Sequence, residues 1–580
     1  MNPSHAKGAT DVALIEATLG DFFDAMVAAR PDHEALVSRH EGLRFTYRAL
    51  HDDANRLASA LLRLGLAPGE RVGIWSHNNA AWLMLQIATA KVGLVLVNIN
   101  PAYRTSEVEY ALNKVGCAAL VTMARFKTSD YLGMLRELVP ELAGTDADDT
   151  TGAARLRAAR LPTLRHVVWI DGAVPDATAP AGPRDDDVPG MRRFSRLLAG
   201  GDAHDPRVAE VQRTLRADEP VNIQFTSGTT GFPKGASLTH RNILNNGFFI
   251  GECMKLTPAD RLCIPVPMYH CFGMVLGSLA CLTHGSTIVF PNDGFDALSV
   301  LETVQAERCT ALHGVPTMFI AELDHPRFAE FDLSTLRTGI MAGTACPIEV
   351  MKRVVERMNL REITIAYGMT ETSPVSCQSS TDTPLEQRVA TVGTVQPHVE
   401  VKIIDAQTGQ TVPRGVSGEL CTRGYLVMHG YWDDPARTRE AIDADGWMHT
   451  GDLATMDAEG YVNIVGRSKD MVIRGGENIY PREIEEFLYG HPQVQDVQVV
   501  GLPDAKYGEE LCAWIIPRPG QHPTEDDVRA FCAGRIAHYK VPRYIQFVDA
   551  FPMTVTGKIQ KFRIRETMRE RLGLDEVKTA

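Results

Sequence analysis

The string "FTSGTTGFPKG", Phe225 to Gly235, gathers three glycines, a proline, a lysine and four hydroxyls after the apolar alternation Val221, Ile223 and Phe225. This composition suits phosphate oxygens. Glycines such as Gly228 and Gly231 let successive backbone N–H groups converge into a nest for an anion. Thr226, Ser227, Thr229, Thr230 and the Lys234 ammonium add further donors. The string is not a Walker A loop, which reads G-x-x-x-x-G-K-[ST] and opens a helix at once. Here Phe232 and Pro233 separate Gly231 from Lys234, and "ASLTHRNILNN" turns helical only after about Thr239. Anion binding therefore rests mainly on backbone N–H groups rather than on a helix end. A flexible surface loop is the plainer reading of the glycine and hydroxyl content alone, but the full string is more specific than that.

Six further segments carry reactive residue types: "YHCFGM" (269–274), "MAGTACP" (341–347), "AYGMTETS" (366–373), "HTGDLA" (449–454), "GRSKDMVIRGGENIYPREIE" (466–485) and "PMTVTGKIQK" (552–561). Taken singly, each has a structural reading. Glu371 is an acid at a helix start and Thr370 a cap. Asp452 sits in a turn-like TGD. His270 is a packed or exposed histidine, Lys558 a solvated lysine beside a Thr-Gly turn, and Arg467 and Lys469 linker charge. Their order in one chain, together with the loop at 225–235, favours a shared site.

In that order the segments resemble the adenylate-forming superfamily of acyl- and aryl-CoA synthetases, luciferases and peptide-synthetase adenylation domains. The resemblance spans nearly the whole chain. It implies that ATP and a carboxylic acid give an acyl-adenylate and pyrophosphate, with the loop from Thr226 to Lys234 holding the departing phosphates. It further implies that Tyr367 stacks on adenine beside Gly343, that Thr370 approaches the α-phosphate, and that Glu371 holds Mg2+. Asp452 takes the ribose hydroxyls, Arg467 faces the nucleotide, His270 lines the acyl pocket near the carboxylate, and Lys558 is the adenylation lysine. Such chemistry needs positioning and charge neutralisation more than covalent help.

The resemblance implies a second step in which the C-terminal domain rotates about a hinge at Lys469. Gly475, Gly476 and Glu477 then line a thin tunnel for the pantetheine thiol of coenzyme A. No cysteine of the chain has an activating context, which suits an external thiol. Lys540 and Arg543 are candidates for the coenzyme A phosphates by composition. Within the superfamily, "QFTSGTTGFPKGASLTH", "RGGENIYPREIEEFL" and "VQDVQVVGLPDAKYGEELCAWI" look most like medium-chain fatty acyl-CoA synthetases. The apolar string "VPMYHCFGMVLGSL" suits an acyl tail. An aryl, steroid-derived or other bulky acid, or transfer to a carrier protein, are the enzymatic alternatives. A silent nucleotide-binding sensor is the non-enzymatic one.

The elements that must position these residues follow from periodicity. The chain has 580 residues, 44% hydrophobic and 23% charged, with a net charge of −13. It is long enough for a large core and more than one domain, and its acidity argues against nucleic acid as a main partner. From about Asp11 to Ile170 and from Val221 to Ile365, helical periodicity alternates with β-branched runs, the rhythm of an α/β fold. From Val392 to Val465 short strands and turns predict a β-rich subdomain. From about Gly466 an α+β pattern begins, with helices expected at "PREIEEFLYG" and, behind a capping box, at "TEDDVRAFC". We therefore expect a large N-terminal domain of stacked α/β sheets closed by the β-rich subdomain, residues 1–467, and a small mobile α+β domain, residues 468–580.

The first ten residues read as a loose tail. Trp82–Val97 is the most apolar long stretch, but Gln86, Lys91 and Gly93 interrupt it; it reads as a buried helix, Trp82–Ala90, and a strand, Leu94–Val97, rather than a membrane span. Peripheral membrane contact and a homodimer are both compatible with the sequence. Eleven scattered cysteines without a C-x-x-C pair argue against a disulfide framework or a zinc site and fit a reducing, cytoplasmic setting.

Overall fold

The structure, a computed structural model, describes residues 2–126, 129–145, 156–172, 188–226, 233–344, 346–467, 470–474, 477–504, 506–533, 535–554 and 557–574; it describes the backbone but not the side chains of Arg467 and Asn478. Two large sheets dominate it. The first runs, strand beside strand, Arg192–Arg193, His166–Ile170, Cys117–Met123, Arg71–Trp75, Val95–Asn98, Pro220–Thr226, Lys234–Thr239 and Gly430–Tyr431. It is parallel as far as Pro220–Thr226, which then pairs antiparallel with Lys234–Thr239. In the second, Glu362–Gly368, Thr338–Ala342, Ala311–Gly314, Arg261–Cys263, Thr287–Phe290 and Glu34–Ser38 form a parallel block.

The two sheets share one apolar core. It contains Val72, Ile74 and Leu96 of the first, Leu36, Leu262 and Ile288 of the second, and the helices between. The segment Trp82–Val97 is such an element. Helix Ala80–Lys91 is buried on every side and capped by Asn79, whose Oδ1 accepts the Trp82 N–H at 2.8 Å. The strand that follows is Val95–Asn98. Lys91 ends the helix inside the protein against the Asp24 carboxylate. Burial alone would raise the Asp24 carboxyl, but His51 and Lys91 outweigh it and hold it at about 2. A buried cation is tolerated here because its counter-ion is fixed beside it.

The β-rich expectation corresponds to a five-stranded antiparallel sheet: His5–Lys7, Val399–Ile404, Gly418–Gly424, Met448–Met456 and Val462–Arg467. Its first strand corrects the reading of a loose tail. His5 to Lys7 pair with Lys402 to Glu400, and the Ser4 N–H reaches the Val412 carbonyl at 2.8 Å. Glu400 receives His5 at 3.1 Å, Lys7 at 3.2 Å and Arg423 at 2.8 Å, so a carboxylate on the neighbouring strand anchors the terminus.

The last part of the chain builds its own sheet from Val472–Arg474, Glu477–Ile479, Val494–Asp504, Gly508–Pro517 and Tyr544–Phe547. Helices Pro481–Tyr489 and Glu525–Cys532 lie where the sequence places them, the second behind a reciprocal Thr524–Asp527 capping box. Ile484, Leu488, Val497, Leu511 and Val528 form a core separate from those of the large sheets. Hydrogen bonds from Gln495 to Asp324, at 3.1 Å, and from the Ile348 N–H to Glu486, at 3.3 Å, join it to the rest.

Gly339 sits mid-strand at φ +153°, where a Cβ would lie 1.9 Å from the Leu312 carbonyl oxygen. Gly339→Ala is expected to cost at least about 2–3 kcal/mol, because backbone must move. Gly42→Ala, at φ +70° with open space around it, should cost only about 1 kcal/mol. Urea unfolding midpoints of the two variants check this, and equal shifts would refute it.

Candidate active site

The phosphate-loop candidate spans the turn of a β-hairpin. Thr226 ends one strand and Lys234 begins the next, and the two face each other in register. Ser227, Gly228, Thr229, Thr230 and Gly231 lie outside the described residues. The hairpin stem, however, fixes where the loop leaves and returns. Thr239 then caps helix His240–Cys253, so the helix starts one strand after the lysine, as the sequence indicates.

Glu371 arrives from the other sheet. Strand Glu362–Gly368 ends in a single 3-10 turn, Thr370–Thr372, that turns the carboxylate inward to 5% exposure. Its Oε1 accepts hydroxyls from Thr226 at 3.1 Å and Tyr431 at 2.8 Å. The Tyr431 hydroxyl in turn accepts Lys234 Nζ at 2.8 Å, and that ammonium also lies 4.2 Å from the ring centroid. Burial first, then the Glu371 charge, push the Tyr431 phenol far above its ordinary value, so it stays a proton donor. Tyr431 thus ties lysine and carboxylate together. Sequence reasoning missed it; its "GYW" context carries no chemical signal, and its strand, Gly430–Tyr431, has only two residues.

Tyr367, at the end of the strand that leads to Glu371, donates its hydroxyl to Asp452 Oδ2 at 2.6 Å. Asp452 lies on strand Met448–Met456, and Arg467 is its cross-strand partner, so the backbone brings those two together. Gly343 takes φ +92°, and a Cβ there would press on Val315 at 3.1 Å.

His270 and Cys271 sit on a loop held from below by a buried amide ladder. Asn98 donates to the Tyr269 carbonyl at 3.0 Å, Asn222 to Asn98 at 2.9 Å and Gln224 to Asn222 at 3.0 Å, while the Cys271 thiol meets Gln224 at 3.1 Å. This ladder was also not anticipated. His270 Nδ1 accepts the Phe272 N–H at 3.1 Å. Burial, and secondarily the Lys558 charge, pull its pKa down to about 3, so it is a neutral imidazole with its proton on Nε2. Burial pushes the Cys271 thiol up to about 12 while Thr370 and Gln224 hydrogen-bond to it. It is a packed thiol rather than a nucleophile.

Lys558 comes from the C-terminal part. After burial, its charge acts on the titration of both His270 and Cys271, and the Glu371 charge acts on Cys271. The preceding turn is closed by Thr554, which accepts the Lys558 N–H at 3.0 Å. Gly557 takes φ +77°, and a Cβ there would lie 3.0 Å from Val315 and 3.4 Å from Thr317. A cavity of about 310 Å³ opens beside this turn, lined by Tyr269, Phe295, Met318, Met553, Thr554 and His77 among others.

Lys469, Gly475 and Gly476 lie outside the described residues. Glu477 is exposed on the hairpin Val472–Ile479, opposite Arg474. Lys540 and Arg543, the candidates for coenzyme A phosphates, already face Glu483 and Asp504 at 2.5 Å and 2.8 Å.

Two stacked α/β sheets that meet where Thr226 and Tyr431 hydrogen-bond to Glu371, followed by a C-terminal part with its own sheet that carries Lys558, define an adenylate-forming fold. The match is borne out in solved structures: the anthranilate CoA ligase AuaEII with anthranoyl-AMP superposes with a TM-score of 0.82, at 26% identity, over 97% of this chain and 99% of that one. Residues 23–432 match the AMP-binding enzyme family and 483–558 the AMP-binding enzyme C-terminal domain. The putative acyl-CoA synthetase YngI of Bacillus subtilis is 48% identical over 97% of this chain and 99% of its own. The mitochondrial medium-chain acyl-CoA ligase ACSF2 of Bos taurus is 44% identical over 98% and 91%. The chain belongs to the AMP-binding enzyme family.

Tyr431→Phe removes the hydroxyl shared by Glu371 and Lys234. Hydrogen bonds to charged groups contribute about 1.5–3 kcal/mol. Acid-dependent exchange of labelled pyrophosphate into ATP should therefore fall by roughly 10- to 100-fold, with the unfolding midpoint little changed. An exchange rate equal to wild type would remove Tyr431 from the site.

Proposed function

We infer that this enzyme is an ATP-dependent acyl-CoA ligase that activates a carboxylic acid as its acyl-adenylate and then forms the coenzyme A thioester with release of AMP. We propose a medium-chain or similarly apolar acid as the substrate, since the family resemblance runs that way and the cavity beside the Lys558 turn is mostly apolar. The observation that carries the reading is the buried Glu371 carboxylate, met by the Thr226 hydroxyl at 3.1 Å and by the hydroxyl of Tyr431, which also holds Lys234, at 2.8 Å.

In this reading the acid's carboxylate attacks the α-phosphorus of ATP, the new bond is C–O–P, and pyrophosphate leaves. Lys558 puts a cation where negative charge gathers between carboxylate and phosphate. Neutral His270 offers an N–H to the same region without adding charge. Asp452 and Tyr367 fix ribose and adenine, with Arg467 beside Asp452 in the sheet. Lys234, held on Tyr431, and the loop after Thr226 take the departing phosphates. Glu371 with the Thr226 hydroxyl presents hard oxygen donors to the same spot, a set that fits Mg2+. When bound, that ion supplies charge neutralisation on phosphate oxygens.

For the second step we propose that residues 1–467 and 468–580 act as two bodies hinged at Lys469. Turning the small one withdraws Lys558 and brings Gly475, Gly476 and Glu477 to the acyl carbonyl. The thiol attacks that carbonyl and AMP leaves. A ligase for an aryl or other bulky acid differs only in pocket shape. Among the described residues no helix is long and apolar enough to cross a membrane.

Lys558→Ala is expected to abolish acid-dependent pyrophosphate exchange while thioester formation from supplied acyl-adenylate persists. Robust exchange by the variant would sink the assigned role. A panel of acids scored by coenzyme A-dependent AMP release identifies the substrate. The product mass with coenzyme A, against a phosphopantetheinyl carrier protein, settles the acceptor.

A further inference from the structure

Glu419, Cys421 and His449 stand apart from the residues assigned above, on the antiparallel sheet that also carries Asp452. Glu419 and Cys421 are two residues apart on strand Gly418–Gly424 and so point to one face. Cys421 is the cross-strand partner of His449 on Met448–Met456. One ligand atom from each of the three lies within 4.8 Å of the others. His449 Nδ1 is 3.5 Å from the Cys421 sulfur and 3.4 Å from Glu419 Oε2. Zinc bonds of about 2.3 Å to sulfur and about 2.0–2.1 Å to nitrogen or oxygen, at tetrahedral angles, separate neighbouring ligand atoms by about 3.3–3.6 Å. The two observed separations are edges of such a tetrahedron.

A second observation lies outside the three ligands. The far nitrogen of His449, Nε2, faces Asp443 Oδ2 at 3.5 Å. That carboxylate is itself fixed, because its Oδ1 accepts the Asp445 and Trp447 N–H groups at 3.0 Å and 2.9 Å. A carboxylate behind the outer nitrogen of an imidazole orients the ring and sets which nitrogen is the donor, as it does in zinc proteins. Glu419 is likewise held: Oε1 accepts the Gly451 N–H at 3.1 Å, which leaves Oε2 on the side of His449. Cys421 is fully buried, while the side chains of Glu419 and His449 keep 19% and 32% exposure, so an ion has an entry side.

We propose that Glu419, Cys421 and His449 bind one borderline-soft divalent ion, Zn2+, with Asp443 as the positioning residue behind His449 and a fourth coordination place open to solvent. Mixed sulfur, nitrogen and oxygen donors select zinc-like ions over Mg2+ or Ca2+. Binding forms three metal–ligand bonds and releases the Cys421 thiol proton to solvent; no electrons are exchanged.

The test titrates the metal-free full-length protein with Co2+, whose thiolate complexes show a sulfur-to-metal charge-transfer band. One equivalent should produce that band, and Zn2+ should displace it. Cys421→Ser should abolish the band, His449→Ala should weaken binding at least tenfold, and Asp443→Asn should weaken it by roughly 10-fold or more. A far-ultraviolet circular dichroism spectrum and unfolding midpoint equal to wild type report that the Cys421→Ser protein is folded, and Cys421→Ala serves in its place if it is not. No band in the wild-type protein, or a band of equal strength without Cys421, overturns the proposal, since the remaining cysteines would then be the ligands.

Discussion

A single buried carboxylate sets the terms for the rest of the site. Glu371 is 5% exposed, and an ionised group so placed is costly unless donors meet it. Its two hydroxyl donors come from different places: Thr226 from the end of a central strand of the first sheet, and Tyr431 from that sheet's last edge strand. The carboxylate itself belongs to the second sheet. The two sheets must therefore stack in one register for the charge to be tolerated. The shared core of helices between them supplies the apolar burial that holds this register.

The same contact explains the unusual phosphate loop. In a Walker loop the helix that follows brings its N-terminal dipole to the phosphates. Here the chain returns as a strand, and the helix is deferred to His240. The residue that opens that strand is Lys234, set by strand register opposite Thr226 and hydrogen-bonded to Tyr431. The lysine's contact with the Tyr431 phenol sets it one hydroxyl away from Glu371.

Local pattern made much of the fold legible. Helix Ala80–Lys91, helix Pro481–Tyr489 and the Thr524 cap lie where apolar spacing and capping residues place them. The reactive residues were legible too, but as an ordered set: Glu371 or Asp452 alone is an ordinary acid. What stayed hidden depends on cross-strand register. Tyr431 is 60 residues from the carboxylate it touches. The Asn98–Asn222–Gln224 ladder reads as three polar residues within apolar strands, and only adjacency in the sheet makes it continuous. His5–Lys7 has no strand-like composition and is ordered by an edge that needed a partner. The expectation against a zinc site rested on scattered cysteines without a C-x-x-C pair, a pattern that says nothing of side chains such as Glu419, Cys421 and His449, two residues apart on one strand and 28 away on the next.

The position of Glu419, Cys421 and His449 connects that cluster to the nucleotide side of the site. Between His449 and Asp452 the strand is pinned at each step. The Thr450 hydroxyl donates to the Leu420 carbonyl at 2.7 Å and accepts the Asp452 N–H at 3.1 Å, and the Gly451 N–H donates to Glu419. Gly451 adopts φ +70°, which allows the irregular turn. Glu419 thus serves both the turn that presents Asp452 and the proposed ion. An ion drawn to Glu419 and His449 acts on both ends of the three-residue span that aims the aspartate. If a ligand held by Asp452 prefers the same geometry of that span as the ion, each raises the other's affinity by the same factor, because coupling between two sites is reciprocal. The β-rich sheet is then more than a lid on the large domain: its register is what places a carboxylate, an imidazole and a thiol within reach of one another and of the turn that bears Asp452.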